Sequence, residues 1–63
     1  MKTYSFTDNS GELFEVYKLG GYYQLYKNGE HTGVIVEDSL HHEEANSKLL
    51  QMYMDECNAE LNH

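Results

Sequence analysis

A chain of 63 residues has room for one small domain with a thin core. A domain of that size buries only about 60% of the surface its unfolded chain exposes, so a substrate cleft sunk into the core would remove packing it needs. Eleven acidic residues stand against four lysines and no arginine, a formal net charge of −7. That balance argues against neutralising phosphates or binding an anionic membrane, and for attraction to a basic partner.

Lys2 to Thr7 alternates, with Tyr4 and Phe6 on one side and Thr3, Ser5 and Thr7 on the other. This period of two predicts a strand over 2–7 with one buried face. Asp8-Asn9-Ser10-Gly11 is a turn, because Asp and Asn satisfy nearby backbone groups with their own side chains. The stretch 12–37 holds three runs of β-branched, aromatic and aliphatic residues, broken at Gly20-Gly21 and Asn28-Gly29. Asn-Gly is a strong hairpin signal, since a two-residue type I′ turn needs positive φ at both central positions. Strands over 12–19, 22–27 and 30–37 follow.

Counting outward from two-residue turns pairs Lys27 with Glu30, Leu25 with Thr32 and Tyr23 with Val34. It also pairs Leu19 with Tyr22, Val16 with Leu25 and Phe14 with Lys27. One face then carries Phe14, Val16, Tyr23, Leu25, Val34 and Val36 and is the better core. The other carries Leu13, Glu15, Tyr17, Leu19, Tyr22, Gln24, Tyr26, His31 and Ile35. A one-residue slip at Gly20-Gly21 would exchange the faces.

Asp38-Ser39 can cap a helix over 40–60. Its apolar positions Ala45, Leu49, Leu50, Tyr53, Met54, Cys57 and Leu61 share one side of a 3.6-residue wheel, and Glu44, Ser47, Lys48, Gln51, Asp55 and Asn58 take the other. The expected fold is α+β: an antiparallel meander of three to four strands, then one C-terminal amphipathic helix packed on one sheet face, the whole forming a single domain over 1–63.

The chemistry-bearing residues do not assemble a catalytic motif. His41-His42-Glu43-Glu44 lacks the i, i+4 spacing of helical metal ligands, and no CxxC or HExxH is present. The run reads as a solvated first helical turn whose carboxylates complement the helix dipole, and His63 is a chain end. Cys57 lies on the apolar side of the helix, beside Asp55, Glu56 and Glu60, which oppose a thiolate. The glycines serve turns rather than a phosphate loop. No catalytic, metal-binding or cofactor-binding residues are expected, and the chain does not read as an enzyme. A lone cysteine, an opening MKTYSFTD that turns polar too quickly for an export signal, and no membrane-spanning apolar run point to a reduced, cytoplasmic setting.

Six tyrosines are more informative. Tyr17, Tyr22 and Tyr26 project with Glu15 from the face turned away from the helix, beside Leu13, Leu19 and Ile35, an apolar patch of the kind that marks an interface. From Glu37 onward there are seven acids and one lysine. Asp55, Glu56 and Glu60 lie near the helix C-terminus, where the dipole disfavours them, as if kept to meet a cationic surface. The expected contact residues are therefore Tyr17, Tyr22, Tyr26, Glu15, Asp55, Glu56 and Glu60.

The order strand–strand–strand–helix over Glu12 to Leu61, with Gly33 in the third strand and Glu44-Ala45 opening the helix, resembles the small DNA-binding domains of the AP2 and integrase N-terminal type. The resemblance is one of topology without a shared motif. It implies a sheet that reads nucleic acid with basic and aromatic residues, whereas this sheet offers tyrosines, Glu15 and Gln24. In size and charge the chain also resembles short acidic proteins of phages and mobile elements, including anti-CRISPR and other anti-defence proteins, which would place it in the host cytoplasm. The expected function is an acidic protein–protein interaction module, an inhibitor and nucleic-acid mimic that occupies a basic groove of its target. A homodimer built on the tyrosine face is the alternative, and a nucleic-acid-binding domain, disfavoured by charge, the third reading.

Overall fold

A computed structural model describes residues 1–61, with the backbone alone for Glu60 and Leu61. Four strands, β1 (Lys2–Thr7), β2 (Leu13–Leu19), β3 (Tyr22–Lys27) and β4 (Glu30–Glu37), form one antiparallel sheet in the order β1-β2-β3-β4, and one helix, α1 (His42–Leu61), follows. The architecture is the α+β meander with a helix on one face. Both short turns have the backbone their sequences require: φ is 52° at Asn28 and 85° at Gly29, and positive at Gly20 and Gly21. The turn after β1 closes on Asp8, whose carboxylate accepts from the N–H of Ser10 and of Glu12, each at 2.9 Å.

The β2–β3 ladder runs as counted, Leu19 opposite Tyr22, Val16 opposite Leu25 and Phe14 opposite Lys27. The β3–β4 ladder does not. It starts with Lys27 opposite Glu30 and Tyr26 opposite His31, then shifts, so that Gln24 faces Ile35 and Tyr23 faces Val36. The expected Leu25–Thr32 and Tyr23–Val34 pairs are replaced by a bulge that places two extra residues in β4. Gly33 takes φ +88° there, which L side chains rarely adopt. Thr32 holds the bulge, its hydroxyl donating to the Leu25 carbonyl (2.8 Å) and accepting from the Val34 N–H (3.2 Å). Because the insertion is even, side chains beyond it keep their faces, and Val34 and Val36 remain inside.

The core consists of Phe14, Val16, Tyr23, Leu25, Val34 and Val36 from the sheet, with Ala45 and Leu49 from α1. Burying a leucine such as Leu25 or Leu49 stabilises by about 1.5–3 kcal/mol. Helix and sheet differ from expectation at three places. First, α1 starts at His42, and its first bond runs from the Ala45 N–H to the His41 carbonyl at 2.9 Å. Asp38 and Ser39 form the preceding turn and do not cap the helix. Second, Met54 is 57% exposed. The buried line runs through Ala45, Leu49 and Tyr53, and Met54 sits about 100° further around the helix than Tyr53. Third, α1 lies over β4 and, to a lesser extent, β3, so the helix-side face of β1 is covered little: Phe6 is half-buried and Tyr4 exposed. Phe6 compensates by stacking on Phe14 (ring centroids 5.1 Å), and Tyr53 closes that row edge-on at 5.5 Å from Phe14.

Candidate functional site

Alternation along β2, β3 and β4 turns Leu13, Glu15, Tyr17, Leu19, Tyr22, Gln24, Tyr26, His31 and Ile35 away from the helix, as counted from the sequence. Among the described residues nothing covers this face. Leu13, Leu19, Tyr22 and Ile35 each leave 39–44% of their surface open. The tyrosines do not behave alike. Tyr17 and Tyr26 are half-buried, with rings edge-to-face at 5.1 Å, and Tyr26 meets the His31 ring at 5.0 Å. Glu15 is engaged too: Lys2 Nζ and the Tyr17 hydroxyl both donate to its Oε2 at 3.3 Å. At the rim of the face Tyr22 stands open beside Ile35.

His31 belongs to the scaffold of this face. The Gly33 N–H donates to His31 Nδ1 (2.8 Å), so the ring carries its proton on Nε2 and donates to Gln24 Oε1 (2.7 Å). Gln24 Nε2 in turn donates to the Leu19 carbonyl (3.2 Å). The β4 bulge and the middle of the sheet are thereby tied together by side chains.

The acids expected beside the tyrosines lie on the other side of the molecule. Asp55 and Glu56 project from α1, which packs on the opposite sheet face, and both are exposed; Asp55 accepts from Gln51 Nε2 at 2.9 Å. The side chain of Glu60, and His63 entirely, lie outside the described residues. One flat partner surface cannot reach Tyr17 and Asp55 together, so the expected contact set divides into two surfaces.

The edge of β4 joins them. A cleft of about 400 Å³ is lined by Tyr22, Ile35 and Glu37 from the sheet, Leu40 from the connecting turn, and Lys48 and Met52 from α1. Past Lys48 it adjoins a shallow hollow lined by Glu43, Glu44, Ser47 and Gln51. Sequence reasoning placed Leu40, Lys48 and Met52 in no site. The available signal was Lys48 itself, the one lysine in an otherwise acidic helix.

The other lysines are engaged. Lys2 is paired with Glu15, and Lys27 with Glu12 at 3.0 Å. Lys18 sits over the Tyr23 ring, 5.7 Å from its centre. The Lys27 ammonium is held well above the usual lysine range, by the side chain of Tyr53 first and Glu12 next. Among the described residues no three His, Cys, Asp or Glu side chains come together as a metal-ligand set, and no helix is long and apolar enough to cross a membrane.

No family model, no curated protein and no solved structure matches this chain, so the likeness to AP2 and integrase N-terminal domains is one of element order alone.

Proposed function

We propose that this chain is an acidic protein–protein interaction module whose partner presents a basic surface. The observation that carries this reading is the open sheet face, where Leu13, Leu19, Tyr22 and Ile35 stand exposed on a chain of net charge −7. Exposed apolar patches mark interfaces, and the charge selects partners of opposite sign by long-range attraction. In its most specific form the module is an inhibitor of the anti-defence type, carried by a phage or mobile element. Its carboxylates would take the place of phosphates in a nucleic-acid-binding groove of the target. Size and charge support that form, together with a sheet face whose one lysine, Lys2, is tied to Glu15.

Light scattering across concentration, followed by affinity capture at low and high ionic strength, tests the reading. A monomer that captures a basic protein, and releases it as salt screens the attraction, is the expected result. Serine at both Tyr22 and Tyr26 should abolish capture, and lysine at Asp55 and Glu56 should weaken it. A dimer at low micromolar concentration with no salt effect would transfer the exposed face to self-association and replace this reading with the homodimer.

A further inference from the structure

We infer that the open edge of β4 is the partner-binding strand, and that it takes an extended basic segment of the partner as a fifth strand. The inference rests on the reading above and names the site and the class of ligand. The Asp38 N–H donates to the Gly21 carbonyl at 3.1 Å, and Val36 lies opposite Tyr23. Bonded positions alternate along an antiparallel ladder, so the N–H and C=O of Ile35 and Glu37 point away from β3. β4 is an outer strand of the sheet, and these groups face the cleft between sheet and helix. Unpaired strand edges are templates for another strand, whose backbone gives affinity and whose alternate side chains give specificity.

The surroundings choose the occupant. On the helix side an added strand would meet Leu40 and Met52, with Lys48 beside them, so apolar residues fit there and cations do not. On the outer side it would meet Glu37 and Ile35, with Asp38 next in the chain. Alternating apolar and Lys or Arg residues match both sides. A second copy brings its own charge of −7 and is repelled at long range, so the charge favours a foreign basic segment. Of the expected contact residues a strand seated here touches Tyr22, and on the helix it touches Lys48 and Met52.

The test uses the full chain with the peptide Lys-Val-Lys-Val-Lys-Val, its Glu-Val counterpart, and two lysine versions N-methylated on alternate residues. Amide exchange is followed at Ile35, Val36, Glu37 and Asp38, and chemical shifts along the whole chain. In the free chain Ile35 and Glu37 should exchange faster than Val36 and Asp38. The lysine peptide should slow both by about tenfold or more, and the glutamate peptide should not bind. Only one of the two methylated versions should lose affinity, by about tenfold or more, because alternate N–H groups of a strand face one neighbour. Equal behaviour of the two methylated peptides, or shifts confined to Tyr17 and Tyr26, overturns the edge while leaving the acidic module intact. Failure of the lysine peptide to bind at low ionic strength also overturns the edge, and the capture experiment then decides the module separately. Slow exchange at Ile35 and Glu37 that grows with protein concentration, without peptide, assigns the edge to a second copy and overturns the basic occupant.

Discussion

The sheet has two outer strands, and they are built differently. β1 carries a bulge between Lys2 and Tyr4, and the Thr3 hydroxyl donates to the Val16 carbonyl at 3.4 Å. Bulges and lysine are ways proteins blunt an edge, and β1 has both, Lys2 standing at its start. β4 uses the same means only in its first half, where Thr32, Gly33 and His31 close the bulge with side-chain hydrogen bonds. Its end, Ile35 to Glu37, pairs regularly with β3 beside a cleft. The helix is responsible: it covers β4 and β3, so one edge gains a wall and the other remains a bare rim. Two edges of one sheet thus differ in kind: β4 has a wall beside it and outward backbone groups, and β1 has neither a wall nor a regular ladder.

Loosening the helix that forms the wall has the largest expected effect. Leu49→Ala deletes a fully buried side chain at the helix–sheet contact and should cost about 2–5 kcal/mol, enough to unfold much of so small a domain. Met54→Ala, on the exposed side of the same helix, should stay within about 0.5 kcal/mol. Chemical denaturation distinguishes them, and equal losses would show that the helix is held in another way.

Gly33→Ala probes the blunted half of β4. A Cβ there meets nothing within 4 Å, so the expected loss of about 1–2 kcal/mol comes from backbone strain at φ +88° alone. At roughly 4–8 °C per kcal/mol a melting curve resolves it. An unchanged Tm would mean that the bulge relaxes into the simple two-residue register.

Asn46 offers a change in the opposite direction. Among the described residues its Oδ1 is buried without a hydrogen-bond partner, and such an orphan is costly. Asn46→Leu should raise stability by about 1 kcal/mol, measured as a higher denaturation midpoint. A loss would show that the amide is satisfied in solution.

The smallest effect concerns Lys27, on the helix side of the sheet. Its ammonium binds its proton more tightly folded than unfolded because of Tyr53 and Glu12. The stabilisation is therefore complete below the ordinary lysine value of about 10.4 and is lost as pH rises beyond it. Lys27→Met should lose less stability than the parent between neutral and strongly alkaline pH. Parallel curves would remove Lys27 from the account.

Much of the fold is legible in the residues. Asn28-Gly29 and Gly20-Gly21 set both hairpins because few other pairs accept positive φ at two successive positions, and period-two alternation alone sorts the inner from the outer residues of β2 and β3. The β4 register is not legible. Gly33 reads as an ordinary strand glycine, and only the Thr32 and His31 hydrogen bonds reveal that it absorbs two extra residues. The helix start is hidden as well: Asp38 and Ser39 are good capping types, yet the chain must travel further to bring Ala45 and Leu49 over the sheet.

The ingredients of the candidate site are legible in the residues: tyrosines on the outer sheet face, a negative helix and a scarcity of cations. These follow from alternation and charge, which are local or global properties of the chain and need no knowledge of packing. Their arrangement came from packing. It separated Tyr17 and Tyr26 from Asp55 and Glu56 by the thickness of the sheet and helix, and it brought Tyr22 and Ile35 to the same cleft as Leu40, Lys48 and Met52. Where a helix lies across a sheet depends on which side chains interlock, here Leu49 and Ala45 against Val34, Val36 and Leu25. That choice, invisible to periodicity, left one edge of the sheet beside a cleft and the other bare.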